Sequence, residues 1–213
     1  KSKEAELSYR KAIEINPNFA DAHSNLGLIL KDLGNLQDAE VSTRKAIEIN
    51  PNSPEAHSNL GTILKNLGKL KEAELSQRKA IEINPHFAEA HFNLSQVALL
   101  KGNYQFGLEK YEFRFKKKQA IIPHSTTKLK RVKNEKLKEG EKLLVISEQG
   151  LGDTLQYMRY IPYLRNQGLK ISFCAQTKLH SLIKSSGIDQ NPLSPKEASQ
   201  VSEGKWIPLL SLP

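Results

Sequence analysis

The chain has 213 residues, of which 38% are hydrophobic and 26% charged, a composition that is ordinary for a folded globular protein. Its single cysteine excludes an intramolecular disulfide and indicates a reducing, cytoplasmic compartment, while no apolar run approaches the roughly 20 residues that span a bilayer. The net charge of +9 is concentrated in residues 101–142, which hold 13 Lys and Arg against 5 Asp and Glu.

The first hundred residues repeat themselves every 34 positions, and an Ile-Asn-Pro triplet recurs at this step. A sustained period of this length is the signature of stacked helical hairpins. In the second repeat, the first helix has Leu-Gly, the second helix has two alanines seven residues apart, and a proline closes the repeat: Leu26, Gly27, Ala39, Ala46 and Pro51. This pattern resembles the tetratricopeptide repeat (TPR) family.

The period predicts one helix followed by three helical hairpins, which together form a TPR array of about three and a half repeats over residues 1–118. The predicted helices cover 2–15, 20–33, 36–49, 54–67, 70–83, 88–101 and 104–118. Because the pattern opens on the second helix of a hairpin, we expect the chain to be part of a longer protein. We expect glycine to cap each first helix and proline to end each second helix.

The last repeat departs from the pattern. Ser95 stands where the earlier repeats have glycine, Gly107 stands where they have alanine, and Arg114 replaces the second alanine. Its second helix is rich in Tyr and Phe and ends in the stretch 111–115, which alternates aromatic and charged residues. Two interpretations stay open: terminal repeats deviate because they cap the stack, or the aromatic side chains dock the array onto the residues that follow.

Residues 119–140 form a basic connector. They show neither helical nor strand periodicity, and a short strand or helix within them stays open. The lysine-rich segments 116–118 and 128–131 offer phosphate contacts, but no nucleic-acid-binding motif accompanies them. We therefore interpret the positive charge as a solvated linker and expect no nucleic-acid partner.

From residue 141 the pattern changes to alternating strands and helices, because short apolar runs predict buried parallel strands. The predicted elements are strands and helices in turn, at 142–147, 153–167, 170–175 and 178–186, with further short strands open at 188–193 and 206–212. This order predicts a right-handed parallel unit. The fold class is therefore α plus α/β: a TPR helical-hairpin superhelix followed by a partial Rossmann-like parallel α/β domain over residues 141–213.

The turn after the first predicted strand is the chemical motif of this domain. Gly150 and Gly152 permit a tight backbone turn and the close approach of a ligand. The helix that begins near Asp153 directs unpaired N–H groups toward the carboxyl end of the strand, where open α/β sheets bind ligands. We expect Gly150, Gly152 and Thr154 to form a ligand-binding turn, while Asp153 and Gln156 have the spacing of a helix cap.

This turn carries a second resemblance. Residues 148–157, with Arg159, Tyr160 and Pro162 after them, are similar to the start of a GT-B glycosyltransferase domain of the heptosyltransferase-like type, which occurs behind bacterial TPR arrays. Residues 111–115 and 208–213 resemble other segments of such proteins. The resemblance implies that Asp153 is a general base acting on an acceptor hydroxyl; the alternative is that it only caps its helix.

The same resemblance has consequences for the donor. It implies a nucleotide sugar as the donor of the parent enzyme. It covers only the acceptor-side part of a GT-B enzyme, which uses a second α/β domain for the nucleotide sugar. We therefore expect no cofactor in this chain and no transfer by this chain alone.

Three asparagines recur at the same position of successive first helices, at Asn25, Asn59 and Asn93. First helices line the concave face of a TPR superhelix, so the three amides are predicted to form a ladder that donates to and accepts from an extended peptide backbone. A similar ladder holds protein substrates in TPR-fused O-linked glycosyltransferases. The alternative is that these amides are simply solvated.

Three histidines recur with the same period, at His23, His57 and His91. Because they lie on separate helices 34 residues apart, we interpret them as packing residues rather than metal ligands. Cys174 lies within a predicted strand, and we expect it to be buried and inert.

These interpretations combine into one predicted function and one alternative. The main prediction is a peptide- or protein-binding TPR module attached to the acceptor-side part of a glycosyltransferase-like domain. The alternative is a non-catalytic TPR scaffold for protein–protein interaction, in which the α/β segment is a degenerate remnant. Enzymatic activity is left open, and the sequence names neither the sugar, the acceptor nor the partner.

Overall fold

The computed structural model describes residues 2–133 and 135–212, and the chain divides into two compact units, Lys1–Gln119 and Ala120–Pro213. The first unit is helical and the second contains a parallel sheet. Pro213, which ends the segment compared above with a glycosyltransferase, lies outside the described residues. Within the described ranges, no helix has the length and apolar character needed to cross a membrane.

The first unit consists of helical hairpins in which α2 packs on α3, α4 on α5 and α6 on α7, while α1 packs on α2. The helices are α1 Ser2–Ile15, α2 Ala20–Asp32, α3 Leu36–Ile49, α4 Pro54–Asn66, α5 Leu70–Ile83, α6 Ala88–Leu100 and α7 Tyr104–Tyr111. The first six agree with the predicted helices to within one residue. The period of the sequence therefore corresponds to one hairpin.

The loops explain where the helices end. The glycine after each first helix has a positive φ of 75° to 86°, at Gly34, Gly68 and Gly102. This left-handed conformation is open to glycine because it has no Cβ. After each second helix, the asparagine of Ile-Asn-Pro folds back on its own loop, as Asn50 Oδ1 does when it accepts a hydrogen bond from the Asn52 N–H at 3.3 Å. Asn16 and Asn84 make the same contact.

The last second helix is shorter than predicted. α7 ends at Tyr111 and a 3₁₀ turn at Glu112–Phe115 follows, so the prediction of one helix over 104–118 is wrong at its carboxyl end. The Arg114 side chain donates to the Tyr111 carbonyl at 3.2 Å and to the Glu112 carboxylate at 2.8 Å. Because this side chain satisfies a carbonyl at the helix end, no further helical turn is needed there.

Small residues set the spacing within each hairpin. The repeated alanines have no exposed surface, at Ala39, Ala46, Ala73 and Ala80. A Cβ added to Gly27 would lie 2.1 Å from Thr43 Oγ1, and one added to Gly61 would lie 2.5 Å from Gln77 Nε2. In the last hairpin the glycine is on the second helix instead, at Gly107. Close packing of the two helices thus depends on one glycine in each hairpin.

The described part of the second unit is built on a four-stranded parallel sheet with the order β1-β4-β2-β3. The strands are β1 Lys130–Arg131, β2 Lys142–Ile146, β3 Lys170–Cys174 and β4 Lys205–Pro208, and the helices are α8 Leu151–Tyr157, α9 Tyr160–Asn166, α10 His180–Ser185 and α11 Pro195–Ser199. Residues 143–146 of the central strand β2 are almost completely buried. A small parallel sheet is therefore present, and the basic connector contributes its edge strand.

The predicted helix over 153–167 is wrong as a single element, because the structure has two helices, α8 and α9, with a break at Met158 and Arg159. Pro162 lies in the first turn of α9. A proline has no N–H to donate to the carbonyl four residues earlier, which is that of Met158. The first turn of a helix tolerates this loss, so the chain ends one helix and begins another.

The two short strands that the sequence left open are only partly formed. Segment 188–193 contributes an isolated bridge between Leu193 and Cys174. Segment 206–212 is a strand as far as Pro208, where a 3₁₀ turn begins. Both segments contain a proline, at Pro192 and Pro208, and proline cannot donate to a sheet ladder.

Candidate functional site

The repeated asparagines connect successive first helices. Asn59 Nδ2 donates a hydrogen bond to Ser24 Oγ at 2.9 Å, and Asn93 Nδ2 donates to Ser58 Oγ at 3.1 Å. Asn25, Asn59 and Asn93 are all half-buried. Serine thus fixes the orientation of the second and third amides, and it points each of them the same way along the array.

The contact with serine leaves part of each amide unused. A primary amide has two N–H donors and one carbonyl acceptor, and the serine hydroxyl takes one N–H. Among the residues that the structure describes, the carbonyl oxygens of Asn59 and Asn93 accept no hydrogen bond. Ser24 and Ser58, which recur with the same period of 34, belong to this candidate site but are absent from the residues predicted above.

A lysine forms a second contact across the same helix pair. Lys65 Nζ on α4 donates to Gln96 Oε1 on α6 at 2.6 Å. Burial lowers the pKa of Lys65, and the positive charge of Lys31, its counterpart one repeat earlier, lowers the pKa further. A partly desolvated cation, Lys65, therefore lies at the contact between α4 and α6, on the same helix as Asn59.

The repeated histidines are bound to backbone. The Nε2 atom of each lies 2.9 Å from the carbonyl oxygen of the proline six residues before it, in the pairs His23–Pro17, His57–Pro51 and His91–Pro85. This contact ties each first helix to the loop that precedes it. No group of three or more His, Cys, Asp or Glu residues in the described ranges is placed to hold a metal ion.

Asp153, the candidate general base, lies in the second unit at the start of α8. It is the third residue of that helix and not the residue before it, because the N-cap is Gly150. The expected cap pair with Gln156 is therefore wrong. Instead, the Asp153 Oδ2 atom accepts a hydrogen bond from the Gly150 N–H at 3.1 Å, which leaves Oδ1 without a hydrogen-bond partner in the described part of the chain.

The backbone of this turn differs from the prediction. Gly150 has an ordinary φ of −80°, and the left-handed residue is Gln149, with a φ of 62°. A Cβ added to Gly152 would meet no atom within 4 Å, so open space surrounds that glycine. Left-handed conformations are uncommon for residues other than glycine, and such strain is often found at functional sites.

A polar network that our sequence analysis missed surrounds the turn. The hydroxyl of the buried Thr154 donates to Gln176 Oε1 at 2.8 Å, and Gln176 Nε2 donates to the Gln149 carbonyl at 3.3 Å. His124 Nδ1 lies 2.9 Å from Ser147 Oγ, and its backbone N–H donates to the Ser147 carbonyl, also at 2.9 Å. The turn is thus held at the carboxyl end of β2 by residues from the connector and from the segment after β3.

Cys174 ends β3 and has no exposed surface. Burial raises the pKa of its thiol to about 12, and the nearby Glu197 carboxylate adds to the rise. A thiol that stays protonated is a poor nucleophile and metal ligand. The predicted buried and inert cysteine agrees with this environment.

Comparisons with known proteins identify the repeats. Tetratricopeptide repeat models match residues 20–53 and 43–74, and a TPR repeat model matches residues 3–34. The prediction of TPRs is thus confirmed: residues 3–74 consist of tetratricopeptide repeats. No curated protein matches the chain.

Solved structures with a similar arrangement include MamA, with 26% identity and a TM-score of 0.47 over 53% of this chain and 66% of that one. Another is MamA 41-end from Desulfovibrio magneticus RS-1, with 18% identity and a TM-score of 0.48 over 52% and 63%. A third is YrrB, a TPR protein with an unusual peptide-binding site, with 29% identity and a TM-score of 0.47 over 53% and 58%. The chain therefore spans less than two thirds of each of these structures.

None of these comparisons supports the resemblance of residues 104–213 to a glycosyltransferase. The family models that match end at residue 74. The Rossmann-like and GT-B assignments of the second unit stay predictions, and the parallel sheet is what the structure establishes there.

Proposed function

We propose that the TPR array binds an extended segment of a partner protein along its first helices, and that Asn25, Asn59 and Asn93 contact the main chain of that segment. The observation that supports this proposal is the pair of Asn–Ser hydrogen bonds at 2.9 and 3.1 Å. They orient Asn59 and Asn93 alike, on two successive first helices. Each amide then offers a carbonyl and an N–H at a regular step.

A peptide main chain suits such a row of amides. It presents one N–H and one carbonyl in every residue other than proline, and an amide side chain can pair with both. Orienting the amide before binding reduces the entropy that is lost when the complex forms. Recognition through the main chain would make binding tolerant of the partner's sequence.

The matched variants Asn59→Ala and Ser24→Ala test this proposal, because both remove the Asn59–Ser24 bond and only the first removes the amide. With a peptide selected from a library, calorimetry should show about fivefold to tenfold weaker binding for Asn59→Ala, which corresponds to the roughly 1 kcal/mol of one hydrogen bond. Ser24→Ala should weaken binding less than Asn59→Ala. Equal affinities of the two variants, with both folded by circular dichroism, would refute a direct role for the amide.

A second candidate function is the acceptor side of glycosyl transfer. Its support is the half-buried carboxylate of Asp153 at the carboxyl end of β2, with Oδ2 held by the Gly150 N–H and Oδ1 unbonded among the described residues. A general base needs one oxygen within hydrogen-bond reach of the acceptor hydroxyl. The donor would be a nucleotide sugar, and Thr154 would keep the turn in place through Gln176.

The test of this second function uses the full-length protein. Asp153→Asn keeps a side-chain oxygen that can accept from the Gly150 N–H, but it cannot take a proton. It should remove most turnover while leaving the affinity for the nucleotide sugar nearly unchanged. Normal turnover of a folded Asp153→Asn variant would reduce Asp153 to a residue that stabilises the helix.

A further inference from the structure

Two grooves of the repeat array have the same lining, one repeat apart. The first lies between α1, α2 and α3 and has a volume of about 670 Å³; the second lies between α3, α4 and α5 and has a volume of about 460 Å³. We call them the His23 groove and the His57 groove after the histidine on the first helix of each. All eight residues that line the second groove correspond to lining residues of the first at a step of 34, among them Arg10 to Arg44, His23 to His57 and Lys45 to Lys79.

The chain itself fills the third position of this series, between α5, α6 and α7. The residue that corresponds to Lys79 is Phe113, whose ring stacks on His91 with 4.0 Å between the ring centroids and an angle of 16° between the planes. His91 is consequently 8% exposed, whereas His23 and His57 are half-buried. The third groove therefore shows what kind of side chain its histidine accepts.

The histidine rings of the two open grooves are held in the same way as that of His91. Each Nε2 atom lies 2.9 Å from a proline carbonyl oxygen, so the ring is fixed before anything stacks on it. In the filled groove, the ammonium groups of Lys110 and Lys116 lie 5.8 and 4.8 Å from the centre of the Phe113 ring. The open grooves carry cations too, at Arg10 and Lys45 in the first and at Arg44 and Lys79 in the second.

We propose that the His23 and His57 grooves each bind an aromatic side chain of a partner protein, whose ring stacks on the histidine as Phe113 stacks on His91. Stacked rings and cations placed over an aromatic face are both favourable. The helices α1, α3 and α5 also expose an aliphatic side chain at corresponding positions, with 67% to 70% of its surface accessible, at Leu7, Val41 and Leu75. Val41 and Leu75 line the two grooves, so apolar surface adjoins each stacking position.

The first experiment titrates the full chain with N-acetylphenylalaninamide and follows the histidine ring protons by NMR. Ring current from a stacked phenyl group should move the signals of His23 and His57 upfield, while those of His91, already covered by Phe113, stay in place. N-acetylcyclohexylalaninamide is the control, since its saturated six-membered ring is similar in size to a phenyl ring but has neither an aromatic ring current nor a π face. Absence of shifts at His23 and His57, or equal shifts with the control, would overturn the proposal.

The second experiment introduces a phenylalanine into the chain itself, so that the outcome does not depend on the affinity of a small ligand. Lys79→Phe places a phenyl ring at the sequence position that corresponds to Phe113, on helix α5 rather than in a 3₁₀ turn, and should move the His57 signals toward those of His91, whereas Lys79→Leu should not. The phenylalanine probe should then lose its effect at His57 and keep it at His23. Lys45→Phe gives the same test in the His23 groove. Folded variants whose histidine signals do not move would show that these grooves do not accept a ring.

Discussion

Gln77 has no exposed surface, and both ends of its amide bond to Ser58: Oε1 accepts from the hydroxyl and Nε2 donates to the carbonyl, each at 2.9 Å. Gly61 provides the space for this amide, because an added Cβ would lie 2.5 Å from Gln77 Nε2. We predict that Gly61→Leu lowers the free energy of unfolding by about 1–3 kcal/mol through overpacking, as measured by urea unfolding.

The control for this variant is Asn66→Leu, at an exposed position of the same helix. Its effect should stay within about 0.5 kcal/mol, as is usual for substitutions outside the core. If Gly61→Leu is no more destabilising than Asn66→Leu, the assignment of the tight contact to Gly61 is wrong.

Asp153 has a structural role that is separate from any catalytic one. Its carboxylate accepts from the Gly150 N–H at 3.1 Å, so we predict that Asp153→Ala costs about 0.5–2 kcal/mol of stability, as the loss of a helix cap does. Asp153→Asn should cost less, because the amide oxygen still accepts. Thermal melts of the two variants decide this, and equal losses would show that the Gly150 contact contributes nothing.

Single residues also show where sequence reasoning failed. It assigned the unusual backbone to Gly150, because glycine is the residue that signals a left-handed conformation, but Gln149 adopts it with a φ of 62°. Sequence reasoning placed Asn59 on the face that binds a ligand, but it did not predict that Ser24 accepts a hydrogen bond from Asn59. A hydrogen bond between two repeats follows from how hairpins stack, and the pattern of one hairpin does not contain that information.

The second helices carry a row of ion pairs that follows the repeat. Glu40 accepts from Lys69 and Arg44, both at 2.8 Å. The pKa of Glu40 is lowered from its ordinary 4.5, chiefly by the hydrogen bond from Lys69. Because its pKa is lower in the folded state, this carboxylate stabilises the fold fully above pH 4.5, and the contribution disappears as the pH falls through the folded-state pKa.

We therefore predict that Lys69→Met lowers the free energy of unfolding at pH 7 by about 0.2–1 kcal/mol, the usual range for an exposed pair. Near pH 2 the variant and the original chain should differ much less. Urea unfolding at both pH values measures this, with Lys71→Met as the control, since Lys71 is exposed and makes no ion pair among the described residues. The same loss for Lys69→Met at both pH values would show that the ionised Glu40–Lys69 pair is not the source of the stability difference.

Helices and strands could be predicted from the sequence where their contacts join residues that are close together in the chain. The helices α1 to α6 follow from a period of one hairpin, in which each contact recurs 34 residues later. The edge strand β1 pairs with β4 through Lys130 and Lys205, which are far apart in sequence, and two residues are too few for a strand period. The break between α8 and α9 lies before Pro162, and its position depends on where α8 begins.

At the scale of the whole chain, the two units differ in what they establish about function. The first contains confirmed repeats over residues 3–74, and its asparagine row repeats with them. The second has a buried parallel sheet and a strained turn at Gln149, but no comparison assigns it an activity. Protein binding by the repeats is therefore the better supported function, and glycosyl transfer is the less supported one.

The most direct test of main-chain binding by the asparagines is whether Asn59 accepts a hydrogen bond from a main-chain N–H of the bound segment. A binding peptide is prepared with single amide-to-ester replacements, which remove one N–H each, and every peptide is titrated into the original chain and into Asn59→Ala by calorimetry. If the amide pairs with a main-chain N–H, one ester should weaken binding to the original chain about fivefold to tenfold and have little effect on Asn59→Ala. If every ester weakens binding equally in both proteins, Asn59 does not accept a hydrogen bond from a main-chain N–H of the ligand, and the proposed contact between the asparagines and the partner's main chain is wrong.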